Sequence, residues 1–438
     1  MPTSLRKYLI LFTLFINLAA SLPAIDVYQP WLHSKDRVAL LWQNLHSGAV
    51  KLETGSEQAF LGSLLDLLDI PVESQVLVFS KTSLQNNLIS PGTPRAIYYN
   101  EDCYIGWVPG GMIEIIAVNP KGEPQFYTLD GPTAAGKAPL LLPSEQCFSC
   151  HETTRTNRVK GPLVRSVYTD AQGQPLLRHG SFVTTPASPL TERWGGWYVT
   201  GQHGADLHMG NVTATEVGDE VTLPKTAGAN WMDLKQKLPK GVYLTHTSDI
   251  VALMLLEHQC AVQNAFTAGA KATLEAMERQ RGIQDAFGEI ATDVPQGSAR
   301  KVIQHHAELI LDEMLFKNEY PLQEGGIEGS PAFQDAFRKG RICSSSGRSL
   351  KDFQLGARLF KYRCSYMIYS TAFAALPDVL KSEIFHQLTG HLTTADNRDA
   401  TDDAAVLSTS EREHIRDILL ETQADYARWF KTHSDLVK

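Results

Sequence analysis

Apolar residues in this chain keep one rhythm from Gln75 to Val199 and another beyond Thr245, and that change of period limits its architecture most. Val76 to Phe79, Ala96 to Tyr99, Tyr104 to Val108, Ile113 to Val118 and Gln125 to Leu129 read as short strands. Ser90-Pro91-Gly92, Gly110-Gly111 and Asn119-Pro120-Lys121-Gly122 supply the turns between them. Three more strands are expected at Leu163 to Tyr168, Leu176 to Val183 and Trp194 to Val199, the first two joined as a hairpin through Asp170-Ala171-Gln172-Gly173. Before this region, Val38, Leu41, Trp42 and Leu45 lie at helical spacing, as do Phe60, Leu64, Leu67 and Leu68. Beyond Thr245 the spacing predicts helices from Asp249 to Arg281, capped by Thr247 or Ser248, and near 299–318, 331–340, 351–374, 378–391 and 408–433.

Between two of the strand runs lies Cys147-Phe148-Ser149-Cys150-His151. C-x-x-C-H is the pattern of covalent haem attachment: two thiols add to the vinyl groups of one porphyrin edge and the adjoining imidazole ligates the iron. A thioredoxin-like redox pair would need a strand before it and a helix after it, and a zinc site would need a second ligand pair. Neither context is evident. The expectation is therefore one covalent haem c, tethered by Cys147 and Cys150 with His151 as proximal ligand. The fold class that follows is α+β, an antiparallel β haem domain followed by an α-helical C-terminal domain.

Arg6 and Lys7 precede an apolar run from Tyr8 to about Ala20, with small residues at Ala19, Ala20, Ser21 and Ala24. This reads as a secretory leader, which fits haem attachment outside the cytoplasm and a periplasmic or secreted bacterial protein. The expected organisation is a leader over 1–24, a helical segment over 25–73, the β domain over 74–200, a connection over 201–244 and the helical domain over 245–438. No later run reaches the length of a membrane span, so none is expected in the mature form. The formal net charge is −8 with charges scattered along the chain, and no basic-aromatic patch suggests nucleic acid. A redox partner protein or a small electron donor or acceptor is the expected partner; the oligomeric state is open.

The second axial position of the iron decides the chemistry. His258 is the first candidate, because Val251, Met254, Leu255, His258 and Val262 share one helix face; the plainer alternative is a buried imidazole bonded to a carbonyl or carboxylate. His203, His208 and Met209 offer further ligands, or belong to an ordinary surface loop. His305 and His306 point in different directions on a helix and do not suit one iron. Trp107, Trp194, Trp197 and Tyr198 either wall a haem pocket or are simply core. One of Arg155, Arg158 and Arg165 is placed to meet a haem propionate. Of the remaining thiols, Cys343 and Cys364 are the pair that a disulfide would join most easily, closing a loop of about twenty residues, although Cys364 also fits a buried apolar position. Cys103 and Cys260 are expected free.

Several stretches together resemble a known family. These are Ser74 to Ser83 (SQVLVFSKTS), Pro94 to Asn100 (PRAIYYN) leading into Tyr104 to Trp107 (YIGW), and the haem motif. Leu163 to Tyr168 (LVRSVY), Arg193 to Gly201 (RWGGWYVTG), Ser248 to Met254 (SDIVALM) and Leu256 to Gln259 (LEHQ) complete the set. They look like a family of large secreted bacterial cytochrome c domain-containing proteins, and the likeness covers most of the mature chain. It implies one haem c on Cys147, Cys150 and His151, and no particular reaction. A looser likeness, of architecture alone, is to β-rich c-type cytochromes whose haem is cross-linked to a lysine and oxidises small nitrogen compounds; Lys81 and Lys160 would be the lysines compared. The function expected is a monohaem cytochrome moving electrons. The alternative is a haem enzyme or small-ligand sensor with an open sixth iron site, acting on peroxide, nitric oxide or small nitrogen compounds.

Overall fold

Alternation of apolar and polar side chains builds the centre of the molecule, seen here in a computed structural model that describes residues 34–131, 141–393 and 407–433. The expected leader lies outside the described residues. Two helices come first, α1 (Arg37–His46) and α2 (Glu57–Leu67). The side-chain oxygens of Asp36 and Ser56 cap their N-termini by accepting from backbone N–H groups of the first turn.

The strands β1 (Val76–Val78), β2 (Arg95–Tyr99), β3 (Cys103–Trp107), β4 (Ile113–Val118), β5 (Pro124–Leu129) and β6 (Leu141–Pro143) follow as an antiparallel meander. After β6 the chain makes the short helix α3 (Phe148–His151), then the hairpin β7 (Arg165–Val167) and β8 (Ser181–Val183). It returns as β9 (Trp197–Tyr198), which pairs with β1 and completes a seven-stranded sheet.

Period two gives this sheet two different faces. Leu77, Ala96, Tyr98, Ile105, Trp107, Ile115 and Tyr127 point to one side and pack with the apolar faces of α1 and α2. Leu234, Leu238 and Tyr243 join that core from the stretch expected to be a mere connection, which also carries the small exposed hairpin β10 (Thr215–Val217) and β11 (Glu220–Thr222). The alternate residues, among them Arg95, Ile97, Tyr104, Gly106, Glu114, Ile116 and Phe126, face the other side.

The C-terminal half covers that second face. Its main element is α4 (Ile250–Ala286), 37 residues long. Asp249, not Thr247 or Ser248, caps it, its Oδ1 accepting from the N–H groups of Val251 and Ala252 at 3.0 Å each. The first three turns of α4 are buried on every side, because one flank meets the sheet and the other meets α5 (Gly297–Met314), α7 (Thr371–Ala374) and α8 (Asp378–Thr393). Between α5 and α7 come α6 (Pro331–Arg338) and the hairpin β12 (Phe353–Gln354) and β13 (Arg358–Phe360).

Of the helix expected over 351–374, only the last turn, α7, is thus α-helical. Phe353, Phe360, Phe337 and Tyr366 pack into one aromatic cluster that a hairpin serves and a continuous helix would pull apart. The expected final helix is two, α9 (Thr409–Thr422) and α10 (Ala424–Thr432), broken at Gln423. The α+β class holds: an antiparallel sheet in the N-terminal half and helices in the C-terminal half. No helix among the described residues is long and apolar enough to cross a membrane.

Candidate functional site

Between the second sheet face, α3 and the first turns of α4 lies a cavity of about 410 Å³, within the roughly 300–1,000 Å³ usual for cofactor and ligand sites. Its walls are mostly apolar: Ile97, Tyr104, Ile116, Phe126 and Trp197 from the sheet, Val164 from just before β7, and Leu256 and Cys260 from α4. Cys147, Cys150 and His151 all line it. Cys147, at the N-cap of α3, and Cys150 and His151 within it turn both thiols and the imidazole toward one space, which is what the C-x-x-C-H spacing requires of its backbone.

The imidazole is oriented by its own loop. His151 Nδ1 lies 2.8 Å from the carbonyl oxygen of Gly161, and since a carbonyl can only accept, Nδ1 carries the hydrogen and the neutral ring keeps its lone pair at Nε2. Gly161 N–H donates in turn to the carbonyl of His151 at 3.0 Å, so residues 151 and 161 clasp each other and close the loop between them. Thr156 Oγ1, bonded to the carbonyls of Thr153 and Val159, braces its interior. Phe126 packs on both His151 and Phe148, with ring centres 5.3 and 5.5 Å apart. Burial holds the His151 pKa below the usual imidazole value, and burial raises that of the Cys147 thiol, whose Sγ donates to Ser144 Oγ.

On the sheet face of the cavity sits one charged pair. Arg95 of β2 and Glu114 of β4 form an ion pair across the intervening strand β3. The guanidinium passes over Gly106, where any Cβ would run into it. Ser83 Oγ and Gln85 Nε2 also donate to Glu114, at 3.2 and 3.3 Å. Arg95 Nε is buried with no partner among the described residues, so one donor of a fixed cation is left unspent beside the cavity.

Other expected residues distribute unevenly around this space. Arg165 lines the cavity and its Nε donates to Ser181 Oγ at 2.7 Å, whereas Arg155 and Arg158 are exposed. Lys81 also lines it, half-buried; Lys160 stands outside with its ammonium 4.0 Å above the Phe148 ring. Of the aromatic residues, Trp197 is a wall, its Nε1 bonded to Arg165 O at 2.8 Å, while Trp107 and Tyr198 belong to the opposite core.

His258 is not brought to the cavity. On α4 it is Leu256 and Cys260 that face the site, and residue 258 lies about 200° further round the helix from 256. There it is fully buried in the C-terminal core, Nε2 2.7 Å from Ser365 Oγ and the ring stacked 4.1 Å from that of Phe316. It is a buried imidazole, as the plainer alternative has it, but its partner is a hydroxyl and not a carbonyl or carboxylate.

His203 and His208 pack against each other with tilted rings 4.6 Å apart, away from the cavity lining. His203 is saturated by Asp206 O and the N–H of Asn230, and Met209 Sδ accepts from Ser166 Oγ. His305 and His306 lie on α5, outside the lining. All six cysteines are free thiols: Cys364 is buried in the helical core and Cys343 is exposed, so the disulfide considered for them is not formed.

Cys260 is named from the sequence as a free thiol alone, and Arg95, Gly106 and Glu114 are not singled out as site residues there. Only Gly106 left a trace, as a glycine inside an otherwise apolar strand, a pattern that often marks close approach of another group. No protein-family model matches the chain, and neither a curated protein nor a solved structure aligns with it.

Proposed function

We propose that this chain is a periplasmic c-type haem protein that would exchange electrons through its iron and admit a small ligand to the cavity that Arg95 and Glu114 line. The observation that carries the reading is His151. Its Nδ1–H is spent on Gly161 O, its Nε2 lone pair is free, and the two thiols of the same turn line the same cavity. This is the arrangement of a metal-binding imidazole whose second nitrogen is fixed by a backbone carbonyl.

Cys147 and Cys150 would tether the group, His151 would ligate its iron, and Arg165 stands at the wall ready to pair with a propionate. When bound, the haem supplies a one-electron iron couple and an axial site. The chain's own contribution on the sheet side is the ion pair of Arg95 and Glu114, a cation and an anion that line the cavity among apolar walls. Such a pair suits peroxide, nitric oxide or a small nitrogen compound, and favours the ligand-binding alternative over an electron carrier alone. Electron exchange keeps its support from Cys150, which is exposed and so brings the attachment turn to the surface.

The test is to produce the full chain in a bacterial periplasm equipped for haem attachment, then record the pyridine haemochrome and the oxidised and reduced spectra with and without carbon monoxide. One covalent haem per chain, lost in Cys147→Ala/Cys150→Ala, with a reduced spectrum that shifts on carbon monoxide, is expected. A haem-free chain overturns the reading. A low-spin spectrum indifferent to the gas returns it to electron transfer alone.

A further inference from the structure

Helix α4 meets the loop that holds His151 through the side chain of Asn264. Leu256, Cys260 and Asn264 follow at four-residue intervals and so share the face of α4 that meets the β domain. The first two line the cavity; Asn264, one turn further, meets the loop that holds His151. Its Nδ2 donates to the carbonyl oxygen of Pro162 at 2.9 Å. Its Oδ1 is buried without a hydrogen-bond partner and lies against Gly161, so closely that a Cβ on that glycine would run into it. Gly161 is the residue whose carbonyl accepts from His151 Nδ1 and whose N–H donates to His151 O. One amide of the helical half therefore grips the Gly161-Pro162 segment, and that segment grips the imidazole.

We propose that Asn264 is the positioning residue for His151, so that the helical domain sets the orientation and basicity of the axial ligand from one turn beyond the cavity. The inference rests on the haem reading of Cys147, Cys150 and His151. Its physical basis is that a hydrogen bond from Nδ1–H to a well-placed carbonyl pushes electron density toward Nε2, and outer partners of this kind tune the metal they never touch. Asn264 is buried and its donor is used once, on Pro162, so its removal frees the carbonyl segment to drift from the imidazole. A role in packing alone would cost stability and leave the iron unaffected.

The experiment compares the wild-type holoprotein with Asn264→Ala and, independently, with Gly161→Ala, whose new methyl group would push the same segment off Asn264. Haem content by pyridine haemochrome, the iron–histidine stretch of the ferrous form by resonance Raman, and the midpoint potential are read on each. With haem content unchanged, both variants are expected to lower the stretching frequency and raise the potential. If either holoprotein accumulates and keeps both values of the wild type, the proposal is overturned. Should Asn264→Ala fail to fold, Gly161→Ala decides alone. A wild type without covalent haem refutes the underlying reading and is recognised before any variant is made.

Discussion

The guanidinium of Arg95 crosses β3 above Gly106, in the space a side chain would occupy, and meets Glu114 on the far side. Gly106 is thus a gap in a strand otherwise buried on both faces, and the gap admits an ion pair to the cavity. Filling it by Gly106→Ala is expected to displace Arg95 and strand Glu114 at a cost of roughly 3 kcal/mol, the low end for breaking a buried pair since both members keep some solvent contact. In an Arg95→Leu/Glu114→Gln background the same Ala should cost far less. Urea denaturation of the single, double and triple variants measures the coupling; additive costs would refute the steric role assigned to Gly106.

His258 gives a second, independent expectation. Because it bonds to Ser365 and stacks on Phe316 in the helical core, His258→Ala should destabilise the fold by about 2–4 kcal/mol, as other large-to-small core changes do. The ferric absorption spectrum of the holoprotein should not change. A shifted spectrum at full haem content would return His258 to the iron.

These two sites show what the sequence makes legible. The C-x-x-C-H turn is local, so its three residues are named by spacing alone, and the strands around it announce themselves by alternation. The Arg95–Glu114 pair is joined only by strand register, with Gly106 opposite both Ile97 and Glu114, and no linear pattern displays that. His258 was placed on a buried face correctly, yet the start of α4 is buried all round, and periodicity cannot say which flank meets which core. The stretch 351–374 has helix-like apolar spacing that the aromatic cluster of Phe337, Phe353, Phe360 and Tyr366 overrides.

The thiols should separate cleanly by reactivity. Burial pushes the Cys364 thiol up to about 12 and raises Cys103 and Cys260 as well, while Cys343 is exposed. In a holoprotein with Cys147 and Cys150 joined to haem, a colorimetric thiol reagent should label Cys343 alone under native conditions. Denaturation should expose Cys103, Cys260 and Cys364 too. A native protein in which Cys343 does not react would mean that it is bridged after all.

Acid should act through the buried imidazoles. Burial holds the pKa of His258 down to about 3, with no charged partner to offset it, and holds His208 equally low. The folded chain therefore refuses a proton that the unfolded chain accepts below about pH 6.5, so this contribution to stability is full above that value and is lost as pH falls toward 3. Asp249, raised to about 6, and Glu257, also raised by burial, titrate in the opposite sense, since their folded forms hold protons that the unfolded chain releases. The whole-protein profile mixes these terms, and a difference between two chains isolates one of them. Relative to wild type, His258→Leu should gain about 2 kcal/mol between pH 7.5 and pH 5, because the variant no longer has that imidazole to protonate on unfolding. Urea midpoints of both chains at the two pH values measure it, and a stability difference that does not move with pH would mean His258 is charged, or free to become so, within the fold.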